Sequence, residues 1–194
     1  MALDRHKMNA LLQQASSPDD RGLRDEAFGA LAAGVQDELF RLCLANGLSQ
    51  DDAIEATQET FLRAYRRIAT WQPGSDAMNW LCGIALNVVR ERHRQERRRH
   101  GEATLWVDNP SESAGELSVY ATGHEEPWEW EQLQQLRAAI EALPPRQREA
   151  VVCRYLRRMS IRDTAAAMGC AEGTIKSAVS AALEALREVL VRRR

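Results

Sequence analysis

Apolar residues along this chain recur every three or four positions, and alternation at period two is absent, a pattern that predicts helices and no sheet. Phe28, Leu31, Val35, Leu39 and Leu42 predict a helix from about Asp25 to Ala45, stopped by Asn46-Gly47. Ser49 and Asp52 have capping-box spacing before a second helix with Ile54, Phe61, Leu62, Tyr65 and Ile68 as its apolar residues. Pro73-Gly74 interrupts the pattern. Ser75 or Asp76 can cap a third helix, apolar at Met78, Leu81, Ile84, Ala85, Val88 and Val89, which runs out into Arg90, Arg92, Arg94, Arg97, Arg98 and Arg99.

From Gly101 to about Pro127 the periodicity stops. Asn109-Pro110, Ser111, Ser113, Gly115 and Gly123 among many acidic residues read as a linker, with Leu105, Trp106 and Tyr120 able to dock on a partner. Periodicity returns at Leu133, Leu136, Ile140 and Leu143, ending at Pro144-Pro145. A helix over about Arg146 to Arg158 follows. Ser160 and Asp163 then cap a short helix closed by Gly169. The last helix runs from about Glu172 to Val191, with Ile175, Val179, Leu183, Leu186 and Leu190 as its seam. The expected fold is all-α: an N-terminal extension (1–24), a helical bundle (25–100), an acidic linker (101–131) and a helix-turn-helix domain (132–194).

Charge sharpens this division. Residues 1–100 carry 14 basic and 14 acidic side chains, 101–131 carry eight acidic and no basic ones, and 132–194 carry 12 basic and six acidic. A net of −2 therefore hides a neutral block, a block of −8 and a block of +6, a layout suited to touching polyanions at two places. With 44% apolar and 28% charged residues the chain is globular in composition. No apolar run reaches the ~20 residues of a membrane span, and no signal peptide is read at the N-terminus, so a cytoplasmic protein is expected. Cys43, Cys82, Cys153 and Cys170 form no C-x-x-C pair and read as reduced thiols. The motifs G-x-x-x-x-G-K-[ST], G-x-S-x-G and H-E-x-x-H are absent. No enzyme, cofactor or metal is expected.

Binding chemistry is easier to place. A short helix, a turn with Gly and a longer helix form a helix-turn-helix pattern, whose second helix can present Glu172, Thr174, Lys176, Ser177 and Ser180 to a major groove. An ordinary helical hairpin has the same pattern. The six arginines from Arg90 to Arg99 suit phosphate through their forked donors. Trp71 and Trp80 flank the Pro-Gly-Ser-Asp loop, and aromatics beside a basic helix can stack on unpaired bases. Trp71, at a helix end, reads as the more open of the two, and Trp80 as core.

Four stretches then carry a family resemblance. DAIEATQETFLRAY (52–65) resembles region 2.2 of the extracytoplasmic-function sigma factors, and NWLCGIALNVVRERHR (79–94) is similar to that family's W-L-x-x-I-A-x-N pattern. ALPPRQREAVVCRYL (142–156) looks like the opening of sigma region 4, and MSIRDTAAAMGCAEGTIKSAVS (159–180) resembles its helix-turn-helix. The resemblance implies a non-enzymatic factor that binds core RNA polymerase and opens promoter DNA. Asp52, Glu55, Gln58, Glu59 and Arg63 would dock on the β′ clamp helices. Trp71, Ser75, Asp76, Asn79, Trp80, Asn87, Glu91, Arg94, Arg97 and Arg98 would meet the −10 element. Arg162, Glu172, Thr174, Lys176, Ser177 and Ser180 would meet the −35 element, beside a contact with the β flap. An anti-sigma factor is a further expected partner. The chain departs from the family at Leu86, where an Arg is common, at Glu91, usually Asp, and at Ala171, often a Ser cap. It also lacks the arginines that commonly follow G-T-I-K-S, having Ala178, Ala181 and Leu183. A helix-turn-helix regulator acting without polymerase explains only residues 146–191. A helical adaptor or anti-sigma protein stays open as well.

Overall fold

A computed structural model describes residues 3–16, 20–99 and 127–191, with side chains described for 3–16, 20–99 and 134–189. The linker residues 101–126, with Leu105, Trp106 and Tyr120, lie outside the described residues, as do the tail Arg192–Arg194 and the side chains of Leu133 and Leu190. All regular structure among the described residues is helical: α1 (Arg5–Ala15), α2 (Arg21–Ala45), α3 (Gln50–Arg66), α4 (Ala77–Arg99), α5 (Pro127–Glu141), α6 (Pro145–Val151), α7 (Ile161–Met168) and α8 (Glu172–Val191). None of these helices is long and apolar enough to cross a membrane. The chain divides into two compact units, Met1–Cys43 with Asp51–Ala103, and Leu44–Gln50 with Thr104–Arg194.

In the first unit Leu12, Leu31, Val35, Leu39, Leu81, Leu86, Val88 and Val89 are fully buried. Phe28 meets Phe61 and Tyr65 edge-on, at ring separations of 6.4 and 5.3 Å, a favoured aromatic geometry. Arg24 lies over the Tyr65 ring, and the Tyr65 hydroxyl donates to Asp25. Helix α2 begins earlier than its apolar pattern suggests, because Asp20 Oδ1 accepts the Gly22 and Leu23 N–H groups at 2.7 and 3.2 Å and supplies the cap.

Three expectations change here. Within residues 1–24, where the apolar pattern predicts no helix, α1 is a capped helix, with Asp4 Oδ1 accepting the Lys7 N–H at 2.8 Å and Met8, Leu12 and Ala15 buried. Helix α3 turns a different face inward from the one its large apolar residues suggest. Ala53, Ala56, Thr57, Thr60 and Ala64 are buried, while Ile54 and Leu62 stand about half exposed, at 48% and 53%. The buried Thr57 and Thr60 hydroxyls donate to the Ala53 and Ala56 carbonyls, both at 2.7 Å, which satisfies them inside the helix. Ile68 belongs to a separate 3-10 turn, Ile68–Thr70.

The second unit has its core at Ala139, Leu143, Val151, Ala182 and Leu186, flanked by Ile140 and Ala185. Leu136 is partly exposed rather than part of this seam. Helix α5 starts at Pro127, inside the stretch expected to be linker, because proline is pre-set for a first helical turn. Arg148 donates to the Glu141 and Leu143 carbonyls, closing the α5 C-terminus, and burial pulls its guanidinium pKa down. After α6 the backbone widens into a π turn over Val152–Leu156, where the Arg157 N–H reaches the Val152 carbonyl at 3.0 Å. Arg158 then adopts a φ of 52°, which costs ~1–2 kcal/mol for a residue with a Cβ.

Candidate nucleic-acid and polymerase interfaces

Helix α4 builds the first candidate interface from its N-terminus. Asp76 Oδ1 accepts the Asn79 N–H at 2.8 Å, making Asp76 the cap that the sequence offered as one of two. Its other oxygen pairs with Arg5 Nε at 2.5 Å. Both oxygens of Asp76 are thus engaged within the protein. Ser75 stays exposed, its hydroxyl donating to the Gln72 carbonyl at 2.7 Å.

Along α4, Trp80 is half-buried, Asn87 and Arg94 are exposed, and Arg90 is half-buried. Steps of three, four and seven put these on one stripe of a helix. Arg90 donates to Asn87 Oδ1 at 3.2 Å, leaving the Asn87 amide as donor, and Arg94 Nε reaches the Arg90 carbonyl at 3.3 Å. Asn79 is half-buried beside Trp80, and Arg97 and Arg98 are exposed in the last turn. Trp71 is different. It is 4% exposed, and its indole N–H meets no acceptor among the described residues. Trp71 is therefore core rather than open, and Trp80 is the more exposed of the two. Leu86 is fully buried, so an arginine could not be held at that position in this packing without a buried charge.

The exposed face of α3 is the second candidate interface. Ile54, Glu55, Gln58 and Leu62 are all exposed and follow at helical spacing. Of the expected polymerase contacts, several are already paired inside the unit. Arg63 bridges Glu59 and Glu91, both at 2.7 Å, and Arg92 bridges Asp52 at 3.0 Å and Glu55 at 2.9 Å. These part-exposed pairs contribute ~0–1 kcal/mol each, but those of Arg63 with Glu91 and of Arg92 with Asp52 and Glu55 tie α3 to α4. Glu91, expected at the −10 element, therefore faces α3. The hydrogen bond from Arg63 holds its carboxyl below the usual carboxylate range, so the link persists at neutral pH and is lost only as acid protonates Glu91 through that lowered value. Ile54 and Leu62, which sequence reasoning named only as apolar residues of this helix, are the large apolar side chains of this exposed face.

The second unit carries the helix-turn-helix. Ser160 accepts the Asp163 N–H at 3.0 Å and donates to the Asp163 carboxylate at 2.6 Å, the expected capping contact. Gly169, at φ 65°, closes α7 in the left-handed conformation that a residue without a Cβ adopts freely. Helix α8 begins three residues later, at Glu172. Ile175 is buried, whereas Arg162, Glu172, Thr174, Lys176, Ser177 and Ser180 are all exposed. The Ser177 hydroxyl bonds back to the Gly173 and Thr174 carbonyls at 3.2 and 3.1 Å. Ala181 is exposed, while Ala178 and Leu183 are half-buried. Cys43, Cys82 and Cys153 are buried and Cys170 is partly so. Burial pushes the Cys43 thiol up to about 12. Among the described residues no group of His, Cys, Asp and Glu could hold a metal ion.

Comparison with known proteins accords with this arrangement. Residues 31–99 match the family description Sigma-70 region 2, and residues 133–186 match Sigma-70, region 4. The chain is 35% identical to the ECF RNA polymerase sigma factor EcfG of Rhodopseudomonas palustris over 87% of this chain and 84% of that protein. It is 33% identical to the ECF RNA polymerase sigma factor SigC of Mycobacterium tuberculosis over 95% of this chain and 92% of the relative. Among solved structures it resembles the sigma factor RpoE from Bartonella quintana, crystallised in complex with the anti-sigma factor NepR. The TM-score is 0.67 at 26% identity, over 86% of this chain and 98% of the other. With region 2 and region 4 in order, each presenting its exposed stripe, the chain belongs to the extracytoplasmic-function family of sigma-70 factors and is a sigma factor for transcription initiation.

Proposed function

We propose that the first unit reads and opens the −10 element through α4, the second reads the −35 element through α8, and the exposed face of α3 docks on the polymerase β′ clamp helices. The observation that carries this reading is the α4 stripe: Trp80, Asn87, Arg90 and Arg94 on one side of one helix. From Trp80 to Arg94 the helix rises about 21 Å at 1.5 Å per residue, which matches about six steps of a DNA strand at 3.4 Å. An aromatic at one end can hold an unstacked base while the guanidinium groups grip phosphate. Such stacking, worth ~1–3 kcal/mol per base, offsets the unstacking cost without nucleotide hydrolysis. Catalysis belongs to RNA polymerase, and the chain acts in the cytoplasm beside it. The β flap is the proposed partner of region 4. The solved relative bound to an anti-sigma factor supports a regulator of that kind here, one that masks the α3 face and the region 4 helices. The test is transcription in vitro with purified core polymerase. Promoter-specific initiation that requires this chain is expected; a chain that binds promoter DNA alone and never stimulates core enzyme would instead be a polymerase-independent regulator.

Region 4 is expected to grip its element weakly, because Ala178, Ala181 and Leu183 cannot reach phosphate. Ala181 is the exposed position of the three, so Ala181→Arg should add one backbone contact. Binding of the complete chain to −35 duplexes should tighten across all sequences alike, and the salt slope should steepen by about 0.9. An unchanged slope would mean that position 181 does not face the DNA backbone.

A further inference from the structure

Helix α1 lies outside the residues that match sigma region 2, which begin at 31, yet it is packed on α4 and reaches the N-terminal end of that helix. Its contacts there are polar and specific. Asn9 Oδ1 accepts the Ala77 N–H at 2.8 Å across 68 positions of sequence, and Arg5 holds the Asp76 carboxylate at 2.5 Å. The first N–H groups of a helix have no partner within it. In α4 the Ala77 group is satisfied by α1, and the Asn79 group by Asp76, which α1 in turn holds. The stripe begins at Trp80, whose own N–H reaches the Asp76 carbonyl at 3.1 Å. Met8, Leu12 and Ala15 are buried and give α1 a firm seat.

We infer that α1 is part of the −10 machinery, with Arg5 and Asn9 as positioning residues that fix the α4 N-terminus and so the place of Trp80. The inference rests on the reading of α4 as the −10 reader. The Arg5 side chain is 67% exposed, and an ion pair so open contributes little to stability. Its effect is to restrict where the Asp76 carboxylate, and with it the first turn of α4, can sit. Asn9 acts on a backbone donor that nothing else in the loop reaches.

The experiment uses the complete chain assembled with core polymerase on duplex promoter DNA, reading strand opening by permanganate, polymerase affinity, and thermal unfolding. Arg5→Ala with Asn9→Ala is expected to slow opening about tenfold, with polymerase affinity close to that of the parent and the unfolding temperature lowered by several degrees, as one orphaned backbone donor entails. Asn9→Asp keeps an acceptor at a helix N-terminus, where negative charge is favoured, so Arg5→Ala with Asn9→Asp should recover most of the rate. Asn87→Ala serves as the reference. If Asn87→Ala slows opening and the α1 double variant does not, the role of α1 is overturned and the reading of α4 stands. If opening, polymerase affinity and unfolding temperature all fall together in the double variant, α1 is only a structural brace and the inference fails. If Asn87→Ala leaves opening untouched, α4 is not the reader, and both fail.

Discussion

Leu62→Asp is expected to weaken binding to core RNA polymerase by on the order of a hundredfold or more, while the chain remains folded. Leu62 is 53% exposed, so the change removes almost no internal packing, and surface substitutions of this kind usually move stability within about ±0.5 kcal/mol. At an interface the same position behaves differently. Burying a leucine contributes ~1.5–3 kcal/mol, and an aspartate there must be desolvated without a partner. Glu55 and Glu59 already place negative charge around it, and Arg63 is engaged by Glu59 and Glu91; the exposed Arg66 one turn on offsets the new charge by only ~0.2–0.5 kcal/mol. Leu62→Ala should lose about tenfold, showing the apolar part of the effect separately. Fluorescence anisotropy of labelled chain titrated with core polymerase measures both. Parent-like affinity for Leu62→Asp would show that the α3 stripe is not the docking face.

The same helix shows how far the sequence could be read. Local signals were legible. The Ser160–Asp163 cap, the Gly169 closure and the start of α8 each depend on residues within one turn, and each holds in the structure. The orientation of α3 was not legible from its large apolar residues, because Ile54 and Leu62 stand about half exposed and a hydrophobic pattern does not tell a surface leucine from a core one. The buried stripe Ala53, Ala56, Thr57, Thr60 and Ala64 is itself helically spaced, but small residues weigh little in a hydrophobic pattern. Helix α1 was missed for a similar reason: its buried residues, Met8, Leu12 and Ala15, are spread among His, Lys, Asn and Gln. Glu91 sits where the family pattern has an aspartate, so sequence placed it with the reading residues. Only the fold brings Arg63, 28 positions away, onto its carboxylate. Leu86 explains its own departure from the family, since its side chain fills the core.

The two tryptophans, ranked wrongly by sequence, give a sharp separation of roles. Which of two aromatics flanking a loop lies inside is decided by long-range packing, which local pattern does not encode. Trp71 is 4% exposed, so Trp71→Ala should act on the fold, costing ~3–5 kcal/mol as large-to-small core changes do. That lowers the unfolding temperature by on the order of 15 °C for a unit of this size. Trp71→Phe should be far milder, because it keeps an aromatic in the core and removes the indole N–H that finds no acceptor. Trp80 is half-buried at the head of the α4 stripe, and Trp80→Ala should act on DNA. Loss of one stacked base at ~1–3 kcal/mol corresponds to a drop in opened promoter of about tenfold to a hundredfold, with a much smaller change in thermal unfolding than Trp71→Ala causes. Permanganate reactivity of promoter thymines and thermal unfolding, measured on the same three variants, separate the effects. If Trp80→Ala opens promoters as the parent does while Trp71→Phe does not, the base is held at Trp71 after rearrangement of its surroundings, and the assignment of the stacking platform to Trp80 is wrong.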